Sequence, residues 1–195
     1  MPEMNRIARF FVNRSAARRA DARVRWIAAT VPIVPHATCL ELGAGNGAVA
    51  ARFVDRFAPA RYVATDVDPH QVEEAGRALD RRYPAGRPSS LELRAVDLLD
   101  VPFPDRSFDV VLVFVALHHT GAAHRDGSKV PRALAEIDRV LKPGGLLLYS
   151  EFLHQEAIRT WLTGHGYRLE GIARRFRLES VAARKPSDPS PAGGT

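Results

Sequence analysis

The residues with the most evident chemical use begin at Leu40-Glu-Leu-Gly-Ala-Gly-Asn-Gly47, where Gly43, Gly45 and Gly47 alternate with other residues. An apolar run precedes them and an alanine-rich helical pattern comes after, so the stretch reads as strand, tight turn and helix start. Glycine is required where backbone turns through positive φ or lies against a ligand with no Cβ between. The free N–H groups at the start of the next helix point at the same place and favour ligand oxygens, carboxylate or phosphate among them. Asp66 ends the next predicted strand, nineteen residues beyond Gly47, where a carboxylate accepts hydrogen bonds from ribose hydroxyls. His118 and His119 come after a later apolar strand, and an imidazole has the intrinsic pKa of a general base. Together the glycine turn and Asp66 describe the site of a nucleotide-like ligand. Gly43, Gly45 and Ala48 also satisfy the dinucleotide pattern G-x-G-x-x-G/A, so these residues leave NAD and S-adenosylmethionine, both carrying ribose, as alternatives.

From residue 37 strand and helix signals alternate, which argues for a parallel sheet covered on both faces. Strands are expected near 37–42, 61–66, 91–96, 108–114 and 145–151. Helices are expected over 48–57, 70–83 and 129–141, the last stopped by Lys142-Pro-Gly-Gly145, and over 155–164 after the fifth strand. Residues 167–174 and 177–185 show rough alternation and predict a closing antiparallel pair, although Arg175-Phe176 is a poor turn signal. The C-terminal residues 186–195, Pro-Ser-Asp-Pro-Ser-Pro-Ala-Gly-Gly-Thr, have nothing to bury and read as a disordered tail.

The chain has 195 residues, fitting one domain over 1–185, with 46% hydrophobic and 26% charged residues as in globular proteins. The longest apolar run, Val110 to Leu117, is eight residues, too short to span a bilayer. Charges at Glu3, Arg6 and Arg9 leave no legible secretory signal, and a single cysteine, Cys39, excludes a disulfide framework or cysteine metal site. A cytoplasmic location is the default expectation. The net charge of +6 is concentrated in residues 1–39, where seven arginines face Glu3 and Asp21. Ile7, Phe10, Phe11, Val24, Ile27 and Val31 recur at helical spacing there, giving one or two amphipathic helices that end before Pro32. Their basic face is a solvated surface or a weak contact for anionic lipid.

The order of these pieces resembles the class I S-adenosylmethionine-dependent methyltransferases, in particular the small-molecule methyltransferases. The resemblance covers residues 37–151 and continues more weakly to about 185. Leu40 to Gly47 is similar to the family's first motif, with the acid two positions before the first glycine. Val63-Ala-Thr-Asp-Val-Asp-Pro69 is similar to the second, and Ala95-Val-Asp-Leu-Leu-Asp-Val-Pro-Phe-Pro-Asp-Arg-Ser-Phe-Asp109 to the third and the approach to the fourth. The resemblance implies a doubly wound, mostly parallel Rossmann-like α/β sheet with a C-terminal antiparallel strand pair and an N-terminal helical cap. It implies S-adenosylmethionine with its methionine end over Gly43, Ala44 and Gly45 and its amino group near Glu41. Asp66 would accept from the ribose and Asp97 from the adenine amino group. Val67 and Leu98 would wall the adenine, and Phe114 and Val115 would line the floor.

A nicotinamide oxidoreductase of the short-chain type would need Tyr-x-x-x-Lys, and none of Tyr62, Tyr83, Tyr149 and Tyr167 has lysine at that spacing. No Walker glycine-lysine loop occurs either. Asn/Asp-Pro-Pro-Tyr/Phe, the signature of many base- and glutamine-directed methyltransferases, is missing after the fourth strand, which argues against nucleic acid as acceptor. The expected acceptor is a small or lipid-like molecule, with a noncatalytic S-adenosylmethionine-binding protein as the competing reading. Methyl transfer needs a base only where the acceptor must lose a proton, and His118 and His119 are the candidates. His124 and Asp126 fit no ordinary zinc spacing, and no metal is expected. Every assigned cofactor residue lies between Glu41 and Val115, so residues 1–35, with Phe10 and Phe11 beside the arginines, are expected to cap the acceptor side.

Overall fold

The computed structural model describes residues 6–120 and 126–188, with side chains from Ala16 onward. The side chains of Phe10 and Phe11, together with His124 and residues 189–195, therefore lie outside the described residues. One long helix, α1 (Arg6–Thr30), precedes the sheet, ending before Pro32 as its composition requires. The chain then alternates through β1 (Thr38–Leu42), α2 (Ala48–Phe57), β2 (Arg61–Asp66), α3 (Pro69–Arg82), β3 (Leu91–Ala95) and β4 (Phe108–Phe114). It closes with α4 (Val130–Val140), β5 (Leu141–Glu151), α5 (Gln155–Gly164), β6 (Arg168–Arg175) and β7 (Leu178–Arg184).

The seven strands lie in the order β3-β2-β1-β4-β5-β7-β6, with β1 to β5 parallel and β7 antiparallel to both β5 and β6. The chain winds outward from β1 to β3, then returns to place β4 on the other side of β1. That reversal opens a crevice at the C-terminal ends of β1 and β4, where a doubly wound sheet binds its ligand.

Alternation along the strands divides the core into two layers. Cys39, Tyr62, Leu112, Leu146 and Leu148 meet Phe53 of α2 and Ala20, Val24, Ile27 and Val31 of α1. Leu40, Val63, Val111, Val113, Leu147 and Tyr149 meet Ala133, Leu134 and Ile137 of α4 and Ile158 and Leu162 of α5. The buried stripe of α1 recurs at three- and four-residue steps, so this helix is part of the core along its C-terminal half. An ion pair between Asp21 and Arg52 ties it to α2.

Two details depart from the sequence expectations. β5 starts at Leu141 rather than residue 145, because Leu141 is buried and pairs with Phe108 while Lys142 bonds Asp109 at 2.8 Å. Gly144, at φ +72°, takes up the irregularity that Pro143 would otherwise turn into a break. The β6–β7 hairpin closes through Phe176 and Arg177 with no glycine. Phe176 holds φ +55° and is 97% exposed, so strand pairing rather than turn chemistry sets this connection. No helix among the described residues is long and apolar enough to cross a membrane.

Because Ile27 is 0% exposed, Ile27→Ala should cost about 2–5 kcal/mol of stability, measured by urea unfolding, whereas Phe176→Ala should stay within about 0.5 kcal/mol.

Candidate cofactor and acceptor site

The glycine turn after β1 is held from both sides. Ala44 N–H donates to the Thr65 carbonyl at 2.7 Å, and Gly45 N–H donates to Asp66 Oδ2 at 2.9 Å. Gly43 sits at φ +73°, and a Cβ there would stand 2.5 Å from the Ala116 Cβ, so the missing side chain lets the loop after β4 close against the turn. A Cβ on Gly45 would meet nothing within 4 Å, so its bare Cα faces open space beside Asp66. The other Asp66 oxygen accepts from Asp68 N–H at 3.1 Å, while Asp68 itself caps α3 by accepting from His70 N–H at 2.9 Å. Val67, between these acids, is 66% exposed on the open rim.

The loop after β3 reaches the same rim, since Val96 N–H donates to the Asp66 carbonyl at 2.9 Å. Asp97 turns that loop by accepting from Leu99 N–H at 2.8 Å, and Leu98 packs half-buried against the core. Arg139 of α4 anchors the far end of the loop by donating to the Val101 and Phe103 carbonyls at 2.7 and 2.8 Å. Phe114 ends β4 almost fully buried, and Val115, at φ +60°, donates its N–H to the Ser150 carbonyl at 2.7 Å.

Beneath the turn, Glu41 is 2% exposed and accepts the Tyr62 hydroxyl at 2.9 Å. Burial disfavours its charge and pushes its pKa up to about 7, against the pull of the Tyr62 bond and of Arg23. A cavity of about 90 Å³ lies there, lined by Arg19, Ala20 and Arg23 of α1 together with Glu41, Gly43, Ala44 and Phe114. A larger hollow of about 440 Å³ lies between α2 and α3 among Arg52, Arg77 and Arg82. None of Glu41, Asp66 or Asp97 lines it, so volume alone does not mark the site.

The two histidines separate. They form one 3-10 turn, Leu117–His119, in which His118 is buried and His119 is exposed, their ring centroids 3.9 Å apart. His118 Nδ1 lies 2.9 Å from Glu151 Oε2, and the other Glu151 oxygen accepts from Leu117 N–H at 2.8 Å. Glu151, fully buried at the end of β5, has its pKa raised by burial and pulled back by the N–H groups that surround it. Among the described residues no group of three or more His, Cys, Asp or Glu stands ready to hold a metal.

Glu41, Gly43, Ala44, Gly45, Asp66, Val67, Asp97, Leu98, Phe114 and Val115 all fall at the C-terminal ends of β1 to β4 or in the turns that leave them. Sequence reasoning missed Tyr62, Glu151 and Arg23. An acid closing Leu146-Leu-Leu-Tyr-Ser-Glu151 is the signal that marked Asp66, and it was available for Glu151. Arg23 is one of a row of arginines and carries no such signal.

This strand order with a glycine turn at its switch point and an acid closing the next strand defines a Rossmann-like fold of the methyltransferase type. The methyltransferase-domain family matches residues 40–149, and the chain belongs to it, as a class I S-adenosylmethionine-dependent methyltransferase domain. It is 34% identical over 127 residues to 27-O-demethylrifamycin SV methyltransferase of Amycolatopsis mediterranei, covering 65% of this chain and 43% of that protein. It is 31% identical over 177 residues to sterol 24-C-methyltransferase ERG6B of Gibberella zeae, covering 88% of this chain and 44% of that one. The chain thus spans less than half the length of these curated relatives. Among solved structures, the 4+2 cyclase SpnF shares the fold at a TM-score of 0.70 and 19% identity, over 86% of this chain and 81% of that one.

Glu41 keeps its proton longer in the folded than in the unfolded chain, with a pKa of about 7 against an ordinary 4.5. The stability it contributes is present below about pH 4.5 and lost as pH climbs through about 7. Denaturation midpoints measured across that window should fall for the native protein, and the fall should shrink in Glu41→Gln.

Proposed function

We propose that this chain transfers the methyl group of S-adenosylmethionine to a hydrophobic small-molecule acceptor. The reading rests on the Asp66 carboxylate, set against Gly45 N–H at the switch-point crevice. Bound S-adenosylmethionine supplies a methyl already activated on a sulfonium. Gly43, Ala44 and Gly45 carry its methionine end, with Glu41 toward the ammonium; Asp66 accepts from the ribose hydroxyls and Asp97 from the adenine amino group. Val67 and Leu98 flank the base, and Phe114 and Val115 form the floor.

Displacement at a sulfonium needs collinear alignment and a dry site more than an acid, so positioning is the protein's main contribution. Where the acceptor must lose a proton, the exposed His119 takes it, and His118, held by Glu151, keeps the turn in place. Residues 1–35 cap the acceptor, and the exposed Arg18, Arg19 and Arg25 give that cap its affinity for anionic lipid surfaces. The names of the relatives, a rifamycin and a sterol methyltransferase, support a bulky apolar acceptor.

The direct assay uses methyl-labelled S-adenosylmethionine with a panel of polyketide phenols, sterols and quinols. Label should pass into the organic extract. Asp66→Ala should weaken cofactor binding by about 1–3 kcal/mol with the fold intact. Cofactor binding with no transfer to any acceptor class would favour a noncatalytic binding protein.

A further inference from the structure

The β6–β7 turn lies at the same end of the sheet as the glycine turn. β1, β4 and β5 run parallel, β5 ends at Glu151, and β7 runs back beside it with Glu179 opposite Glu151. The tip, Arg175-Phe176-Arg177, therefore projects at the exits of the parallel strands. Phe176 holds φ +55°, a conformation that strains an aromatic residue, and almost its whole surface meets water. A strained and exposed phenylalanine adds nothing to the core.

The turn is nevertheless firmly placed. Gln155 Nε2 donates to the Glu151 carbonyl at 2.8 Å and to the Arg177 carbonyl at 2.6 Å, tying the tip to the exit of β5. Buried Glu179 accepts from Arg159 and, at 2.7 Å, from Arg174, so Arg174 is engaged within the fold. Arg175 and Arg177 are exposed, with the Arg175 guanidinium carbon 6.0 Å from the centre of the Phe176 ring. No acid falls between Glu170 and Glu179 in the sequence. An aromatic ring flanked by guanidiniums, with no carboxylate among them, suits an anionic lipid surface, where the ring leaves water and the arginines reach phosphates. A water-soluble anion would pair with the arginines and leave the ring in water, so the ring favours a membrane.

We propose that this hairpin tip anchors the protein on anionic membranes, Phe176 entering the headgroup region while Arg175 and Arg177 pair with lipid phosphates. The anchor is separate from the α1 arginines. It turns the strand exits toward the lipid, the phase in which an apolar acceptor dissolves. That last consequence rests on the acceptor reading above; the membrane contact does not.

The test is co-sedimentation of the full chain, without cofactor or acceptor, with vesicles of phosphatidylcholine alone and of phosphatidylcholine and phosphatidylglycerol in equal parts. The native chain should bind the anionic vesicles, and Phe176→Ala should weaken that binding about tenfold while keeping the unfolding temperature. Arg175→Gln combined with Arg177→Gln should weaken it by a similar factor and flatten its dependence on salt. Phe176→Trp should retain binding and shift its added indole emission to the blue on anionic vesicles. Phe176→Ala binding as well as the native chain would overturn the anchor, and a loss confined to Arg18→Gln, Arg19→Gln and Arg25→Gln would assign the contact to α1 instead. A native chain that binds no vesicle, or one whose Phe176 holds two copies together in sedimentation equilibrium, would overturn it as well.

Discussion

Asp66 accepts from Gly45 N–H with one oxygen and from Asp68 N–H with the other, so a single carboxylate holds the exits of β1 and β2 in one geometry. The turn it fixes requires a bare Cα at Gly43, because Ala116 from the β4 exit occupies the space a side chain would need. Three strand ends therefore meet without a helix or loop between them. Both oxygens of Asp66 are engaged by backbone donors, yet the group stays half-exposed at the rim.

The deeper acids obey a different logic. Glu41 and Glu151 are buried under the crevice, and burial raises the pKa of each. Each is held by neighbours of the fold: Glu41 by the Tyr62 hydroxyl, Glu151 by Leu117 N–H and His118. They lie on opposite faces of the sheet, Glu41 with the α1–α2 layer and Glu151 in step with Leu147 and Tyr149 of the α4–α5 layer. Burial thus works against the charge of both acids, and the hydrogen bonds to Glu151 fix the histidine turn.

Most of the parallel half of the fold was legible, because glycine-rich turns, apolar strands and acids at strand ends are local signals. α2 and α5 fall on their expected residues, since both have a strong periodic stripe and clear stops. The start of β5 was not legible: Pro143 and two glycines read as a break, while the pairing of Leu141 with Phe108 is a long-range contact. The Phe176 turn was hidden for the same reason, being imposed by the β6–β7 register. In the site, Asp66 and the glycines announce themselves. Arg23 does not, because what distinguishes it from Arg18, Arg19 and Arg25 is only that Phe114 lies beneath it.

Where the cofactor lies is tested most directly by hydrogen exchange read by mass spectrometry, with and without S-adenosylmethionine. The expected result is slowed exchange in segments 43–45, 66–68 and 97–99, with the α2 and α3 walls of the larger hollow, around Arg52 and Arg77, unchanged. Protection confined to the α2–α3 hollow, or no protection at the glycine turn under saturating cofactor, would contradict it.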